Sequence, residues 1–405
     1  MTSLGDRVAQ ARRYRSMTQW QLAECTGVSI DLIKRLERGA YGDPSLSTLR
    51  ALAKALNVLP GYLIDGVELE VDIVREPDQG IILPMRNLLL PKVQIEGAID
   101  EEKLTFGNLR QRVLDCVADF NNGRYEKVVA DIPNLVISIE AAISLLEGEA
   151  KVAMLRLSAH AYILTAQTLI HLRCEDLATH AIRNAMDAAE NAGDPVLCAS
   201  AARNYTWAFT RQGMYGKAET IAVDMASEIE PSMSKGTPEQ LAVWGLLHME
   251  ASDAAARDNR PERAKELLSF ASMAAVRLEG TVIDYSKYWQ ALDPNLIGIK
   301  SADNALIDGD AELALHVGKE VRRSTNIHLD WWSWHLLVMA DAYTSTRNYA
   351  AAIESMKSIR TLAPEWIKNH RDAHDVARKL LDATHIRRAK SSGLAELAKF
   401  MGVEP

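Results

Sequence analysis

From Leu104 onward the chain has no alternating β-branched run. It is a succession of Ala- and Leu-rich stretches, cut at intervals of tens of residues by Asn121-Asn122-Gly123, Gly193-Asp194-Pro195, Gly213, Gly236-Thr237-Pro238, Asn259-Arg260-Pro261 and Gly309. Gly and Pro punctuate helices, so the segment reads as helix after helix. Antiparallel helices approach closely only where their facing side chains are small. The first small residues of each second helix are Val128, Ala178, Ala218, Ala264, Ala314 and Ala352. Twelve residues before them stand Cys116, Ala166, Thr206, Ser252, Ala302 and Ala340, all small. Three residues further on, where a bulky apolar side chain is expected to fill the groove, stand Asp119, Leu169, Phe209, Ala255, Ala305 and Tyr343, and only half of these qualify. The six anchors lie 50, 40, 46, 50 and 38 residues apart.

The first 66 residues have a different character. Val8, Leu22, Ala23, Val28, Ile33, Leu36, Leu49, Leu52 and Leu56 recur at spacings of three and four, as in a compact helical bundle. Five short helices are expected: Leu4–Arg13, Gln19–Cys25, Ile30–Arg38, Leu46–Leu56 and a last turn, Pro60–Ile64. Thr18, Ser29 and Ser45 stand as N-caps, Gln21 completes a capping box with Thr18, and Gly27 and Gly39 close their helices. Only Thr26-Gly27-Val28 joins the middle pair, and so short a Gly turn marks a helix-turn-helix. Nine Lys/Arg against six acids give this head a net charge of +3; the whole chain carries −8, which leaves −11 on the rest. A basic head on an acidic body directs a polyanion to the head.

The run Thr18-Gln19-x-x-Leu22-Ala23-x-x-x-Gly27-Val28-Ser29-x-x-x-Ile33-x-x-Leu36-Glu37-Arg38-Gly39, continued by Leu52-Ala53-x-x-Leu56-Asn57-Val58, resembles the Cro/C1-type helix-turn-helix of phage and bacterial repressors. The resemblance implies that helix Ser29–Arg38 enters the major groove of double-stranded DNA. Lys34 or Arg35 would then donate to guanine, Ile30 would touch a thymine methyl and Asp31 would accept from cytosine. Gln19, Ser29 and Arg38 take phosphate-binding positions, and Arg12 and Glu37 match a partly buried ion pair of that family. Trp20 is unusual at an outward position and is read as half-exposed packing.

The spacing of the body resembles the tetratricopeptide repeat. The best units are Leu336, Ala340, Tyr343, Asn348-Tyr349, Ala352, Met356 and Pro364, and Ala202, Thr206, Phe209, Met214-Tyr215, Ala218 and Pro231. The expected fold is therefore all-α: a five-helix helix-turn-helix domain over 1–66, a linker arm over 67–104, a tetratricopeptide-like superhelix of about six helix pairs over 105–388, and a capping helix over 389–405. The combination resembles large bacterial regulators, the peptide-sensing class of Gram-positive bacteria and the actinobacterial type among them. The stretches Tyr285–Asn295 and Ser392–Gly402 look typical of the latter. The resemblance implies a homodimer that reads an inverted-repeat operator and senses a peptide or small-molecule effector. First helices of such pairs line a concave face, which nominates Arg203, Asn204 and Trp207, Trp244 and His248, Tyr288, Trp289 and Asn295, and Trp332 and His335. Three tryptophans in Trp331-Trp332-Ser333-Trp334 cannot share one core, because each helical residue rotates about 100°. At least one belongs in the groove or at an interface.

Within the arm, Val67–Val74 alternates apolar and acidic residues, and breakers recur at Pro77, Pro84 and Pro91. An extended arm packed on the body is expected, with at most a short hairpin or one helical turn. Enzymatic signatures are weak. There is no Gly-rich phosphate loop and no GxSxG. His370-x-x-x-His374 lacks a third ligand, and Ser232-Met-Ser-Lys235 has no partner motif. Neither metal nor cofactor is expected. The four cysteines show no CxxC spacing, no apolar run approaches the roughly 20 residues that span a bilayer, and the N-terminus lacks a signal-peptide layout. A cytoplasmic location follows as an expectation. Two alternatives stand beside the sensor: a body that docks a protein partner, and an enzyme with a DNA-binding head.

Overall fold

A computed structural model describes residues 3–15, 17–40, 44–56, 58, 63, 79–89, 104–232, 235–279, 281, 292–323, 327–383 and 393–403. Among the described residues every regular element is a helix. The head holds α1 (Leu4–Tyr14), α2 (Gln19–Thr26), α3 (Ile30–Glu37) and α4 (Leu46–Leu56). Thr18 and Gln21 cap α2 reciprocally, and Gly27 ends it at φ 65°. Val8, Leu22, Ile33, Leu36, Leu52 and Leu56 form the head core, which Leu63 joins. The rest of the expected Pro60–Ile64 turn lies outside the described residues. A Cβ at Gly5 would stand 2.0 Å from the Leu36 carbonyl oxygen, so α1 crosses α3 at backbone contact.

The arm differs from its expectation. Its alternating stretch Val67–Val74 lies outside the described residues, but Gln79–Leu89 is a three-turn helix, α5, with Pro84 inside it. Ile82, Met85 and Leu88 recur every third residue and are buried. Burying that stripe outweighs the cost, about 3 kcal/mol, of an interior proline.

The body is six antiparallel pairs: α6 (Phe106–Asn121) with α7 (Tyr125–Leu145), α8 (Gly148–His171) with α9 (Glu175–Asn191), α10 (Pro195–Arg211) with α11 (Tyr215–Glu228), α12 (Pro238–Arg257) with α13 (Pro261–Leu278), α14 (Pro294–Ile307) with α15 (Ala311–Glu320), and α16 (Leu329–Ser345) with α17 (Tyr349–Leu362). Every small residue of the twelve-residue spacing is buried. In one pair the contact is direct: Ser252 Oγ donates to the Ala264 carbonyl at 2.7 Å.

All six pairs turn the same way. One residue takes the left-handed conformation: Gly123, Arg173, Gly213, Asn259, Gly309 or Arg347. The next amide then donates to a carbonyl five residues back: Asp119, Leu169, Phe209, Ala255, Ala305 and Tyr343, at 2.8–3.0 Å. This is the Schellman closure of a helix. These acceptors are the positions read from sequence as groove fillers. What they share is a backbone carbonyl, and so only half of them needed to be bulky.

The array curves until its ends meet. One core unites Ile82 to Ala208 with Leu337 to Val403. Glu365 accepts from the amides of Tyr125 (2.9 Å) and Glu126 (3.3 Å), capping α7, whose own N-cap Arg124 offers no side-chain bond. From Glu365 to about Arg388 the sequence reads as one continuous helix, and the described part of it is broken. Pro364–Asn369 forms α18, His370 is extended (ψ 120°), and Arg371–Ala383 forms α19. The last helix, α20, runs Leu394–Met401.

The expectation that no apolar run approaches membrane length also needs correction. α7 has 21 residues and a mean hydropathy of 1.7, enough to cross a bilayer by length and composition. Here Val128, Ile132, Val136 and Ile139 are fully buried within the helical array.

Gly5→Ala is expected to lower the stability of the head by about 2 kcal/mol or more, because a backbone carbonyl cannot move aside as a side chain can. Urea unfolding followed by far-UV circular dichroism checks it, and a midpoint equal to wild type contradicts the contact.

Candidate nucleic-acid interface and ligand cavity

In the head, α3 starts at Ser29, whose hydroxyl accepts from the Leu32 amide at 3.3 Å. Ser29, Asp31, Arg35 and Arg38 are exposed, and Ile30 and Lys34 are half-buried. Glu37 fixes the angle of α3. Arg12 grips it with two bonds, 2.7 and 2.9 Å, and also donates to the Met17 carbonyl at 2.7 Å. Gln19 donates its side-chain amide to the same carboxylate at 2.7 Å. A planar guanidinium suits this fork. The pair ties α1, the start of α2 and the end of α3 into one rigid unit. Gln19 is thereby held toward Glu37 rather than reaching outward.

The head rests on the pair-closing turns of the body. Tyr215 donates its hydroxyl to the Arg13 carbonyl at 3.3 Å, and Arg13 pairs with Asp258 at 3.4 Å. A Cβ on Gly309 would stand 3.1 Å from the Trp20 indole, so the ring lies flat on that turn. Lys34 is near enough to Asp308 to favour its charge against the burial that raises its pKa. Burial likewise raises the Glu24 carboxyl, against the pull of Lys379.

Closure of the ring leaves a cavity of about 330 Å³ beside these turns. Its walls come from the C-terminal halves of first helices (His171, Trp207, Arg211, Arg257), from Trp331 and Trp334 of the tryptophan run, and from Trp366, His370 and Arg371. Arg203 and Trp207, nominated from sequence, line it. The other described nominees do not. Asn204 bonds the Ser200 and Ala201 carbonyls of its own helix, both at 3.1 Å. Trp244 and His248 pack together and against Phe270. Asn295 accepts from the Arg322 amide at 2.8 Å, and Trp332 packs on His335. Tyr288 and Trp289 lie outside the described residues. The reason is geometric: an open groove would expose every first helix along its length, whereas the closed ring opens a cavity only where the C-terminal halves of α8, α10 and α12 meet the start of α16. No local signal marks Trp366, His370 and Arg371, which enter the wall because the chain returns there.

A buried charge network floors the cavity. Arg203 pairs with Glu250 at 2.9 Å, and Lys300 bridges Asp253 (3.0 Å) and Asp303 (3.2 Å). Arg257 reaches the same two acids, and the Trp334 indole N–H donates to Asp303 at 3.2 Å. Burial opposes the Asp253 charge, but Arg257 and Lys300 override it and hold the carboxyl at about 2. Burial pushes Asp303 up. Charges desolvated in this way are stable only as a complete set.

Burial holds several imidazoles in the neutral form. Burial brings His160 and His171 down to about 3 and His335 to about 4, and His370 falls well below its usual value. Among the described residues no three His, Cys, Asp or Glu side chains assemble as a metal set. The His374 imidazole is engaged by the Lys368 carbonyl at 2.8 Å. Depressed folded values mean that the unfolded chain takes up protons first, below about 6.5. Stability is therefore full above that pH and lost as pH falls toward 4. The thermal midpoint should drop steadily between pH 7 and pH 5, and His160→Gln should flatten that slope; a midpoint independent of pH contradicts the buried neutral imidazoles.

Residues 3–65 match the model of a helix-turn-helix domain family. Over 56 residues the chain is 43% identical to the immunity repressor protein of Bacillus phage phi105, a stretch that makes up 14% of this chain and 38% of that relative. The N-terminal unit of this chain is a helix-turn-helix domain.

Proposed function

We propose that this chain is a sequence-specific, DNA-binding transcriptional regulator whose helical body senses a small effector. One observation carries the reading: on a basic head matched to the helix-turn-helix family, α3 presents Arg35, Asp31 and Arg38 to solvent on a scaffold locked by Arg12 and Glu37. The N-terminal part of such a helix contacts base edges in the major groove. Arg35 reads guanine, with Lys34 beside it; Ile30 and Asp31 refine the choice of base. Ser29, Arg38 and Gln19 hold phosphates, Gln19 after release from Glu37. A homodimer places two heads on an inverted repeat. The body has no catalytic role in this reading.

The cavity supports the sensing half. Arg257 lines it, and the next residue, Asp258, pairs with Arg13 of the head. Arg211 and Gln212 line it too, a few residues before Tyr215, which bonds the same arginine's carbonyl. An occupant that moves these turns changes how firmly the head is held. Docking also draws Lys34 toward Asp308, so head release and DNA binding favour each other. A ligand shifts that balance only by binding one arrangement more tightly.

Selection of sites from a random duplex pool by the full-length protein tests the reading. Wild type should enrich an inverted repeat, and Arg35→Ala should lose that enrichment at unchanged oligomeric mass. Trp20→Ala unclamps the head and should bind the selected site roughly tenfold more tightly. Equal enrichment by Arg35→Ala removes the assignment of α3, and an unchanged affinity for Trp20→Ala removes the docking step.

A further inference from the structure

We propose that the cavity end between the α8–α9 turn and the α18–α19 break is a receptor for a small planar molecule bearing one carboxylate. The inference rests on the reading of the cavity as the sensor site and names the chemistry of its occupant.

Arg173 is the first observation. Of the six pair-closing turns, three carry Gly and one Asn at the left-handed position, residues that take it readily. Arg173 holds φ 61° against that preference. Arg347 does the same, but its side chain is exposed. The Arg173 guanidinium turns inward. Its Nε donates to the Asn369 carbonyl at 3.1 Å, while Nη2 is buried in the wall without a partner. An arginine nitrogen can only donate, so this one calls for an acceptor.

Two imidazoles beside it are equally unfilled. His171 Nε2 and His370 Nδ1 are buried and make no hydrogen bond, the Asp372 carboxylate standing 3.9 Å from the latter, beyond bonding distance; both rings are more than nine-tenths buried. Being neutral, each ring offers one donor and one acceptor nitrogen. A carboxylate answers the set with one oxygen on Arg173 and the other on an imidazole N–H. Arg211 and Arg173 also add positive potential at His370, which supports an anionic guest.

Shape supplies the rest. The half-buried Trp207 lies 4.9 Å from His171, and the half-buried Trp334 lies 5.2 Å from His370, measured between ring centroids. These flat walls suit a flat ring. A volume of about 330 Å³ is at the small end of ligand cavities and too small for an extended peptide.

The test uses the full-length protein, with tryptophan fluorescence and titration calorimetry as readouts. Naphthalene-2-carboxylate and indole-3-acetate serve as probes, and 2-naphthamide is the uncharged twin. Both acids should bind saturably, with the amide at least about tenfold weaker. Arg173→Gly should weaken the acids about tenfold or more while preserving the thermal midpoint, because glycine suits the left-handed turn. Arg347→Gly makes the same backbone change at the exposed turn and should bind like wild type. Equal binding of acid and amide, full affinity in Arg173→Gly, or no binding of either acid at about 1 mM overturns the proposal. If an acid binds without changing affinity for the selected DNA, the receptor stands and the sensor reading fails. If the amide binds as tightly and shifts DNA affinity, the sensor stands and the carboxylate assignment fails.

Discussion

Everything in the body depends on one backbone event repeated six times, a helix closed by a single left-handed residue and a bond to the carbonyl five positions back. That closure reverses the chain within three residues and sets the second helix against small side chains on the first. Each hairpin buries only part of its apolar surface, so neighbours must stack to finish the core. Repetition then fixes curvature, and curvature brings Glu365 to the start of α7, 240 residues earlier in the chain. The ring, its cavity and the platform for the head all follow from that closure.

Buried charge is concentrated where the ring encloses space. Arg203, Glu250, Asp253, Lys300, Arg257 and Asp303 neutralise one another through short contacts, and the surrounding helices could not bury them singly. Farther along the wall the balance changes: Arg173, His171 and His370 each keep a buried polar atom that makes no hydrogen bond. Buried polar atoms are normally paired; these three stand together in one wall, where the proposed carboxylate would complete the set. The head rests on other turns of the same ring, those that carry Tyr215, Asp258 and Gly309.

What could be read in advance was local. Capping residues, a three-residue Gly turn and apolar spacing sufficed for α1 to α4, since each signal acts within one or two helical turns. The twelve-residue pairing of Ser252 with Ala264 was equally legible, because a tight hairpin fixes which positions meet. The Pro-containing α5 was missed: Pro84 signalled a break, whereas burial of Ile82, Met85 and Leu88 decided the conformation. The break at His370 was missed for a related reason. Helical periodicity runs through it, and only packing against Trp366 and Trp334 shows what the extended residue does there.

The sequence by itself determined an all-α chain, a helix-turn-helix head and the phase of six hairpins, because caps, turn residues and small-residue spacing are short-range and act before any tertiary contact. Only the tertiary structure decided which first-helix residues face a cavity, that Trp331 and Trp334 reach it while Trp244 and His248 do not, and that the head lies on the turns. Those outcomes depend on summed curvature over some 250 residues, where a few degrees per pair choose between an open groove and a closed ring.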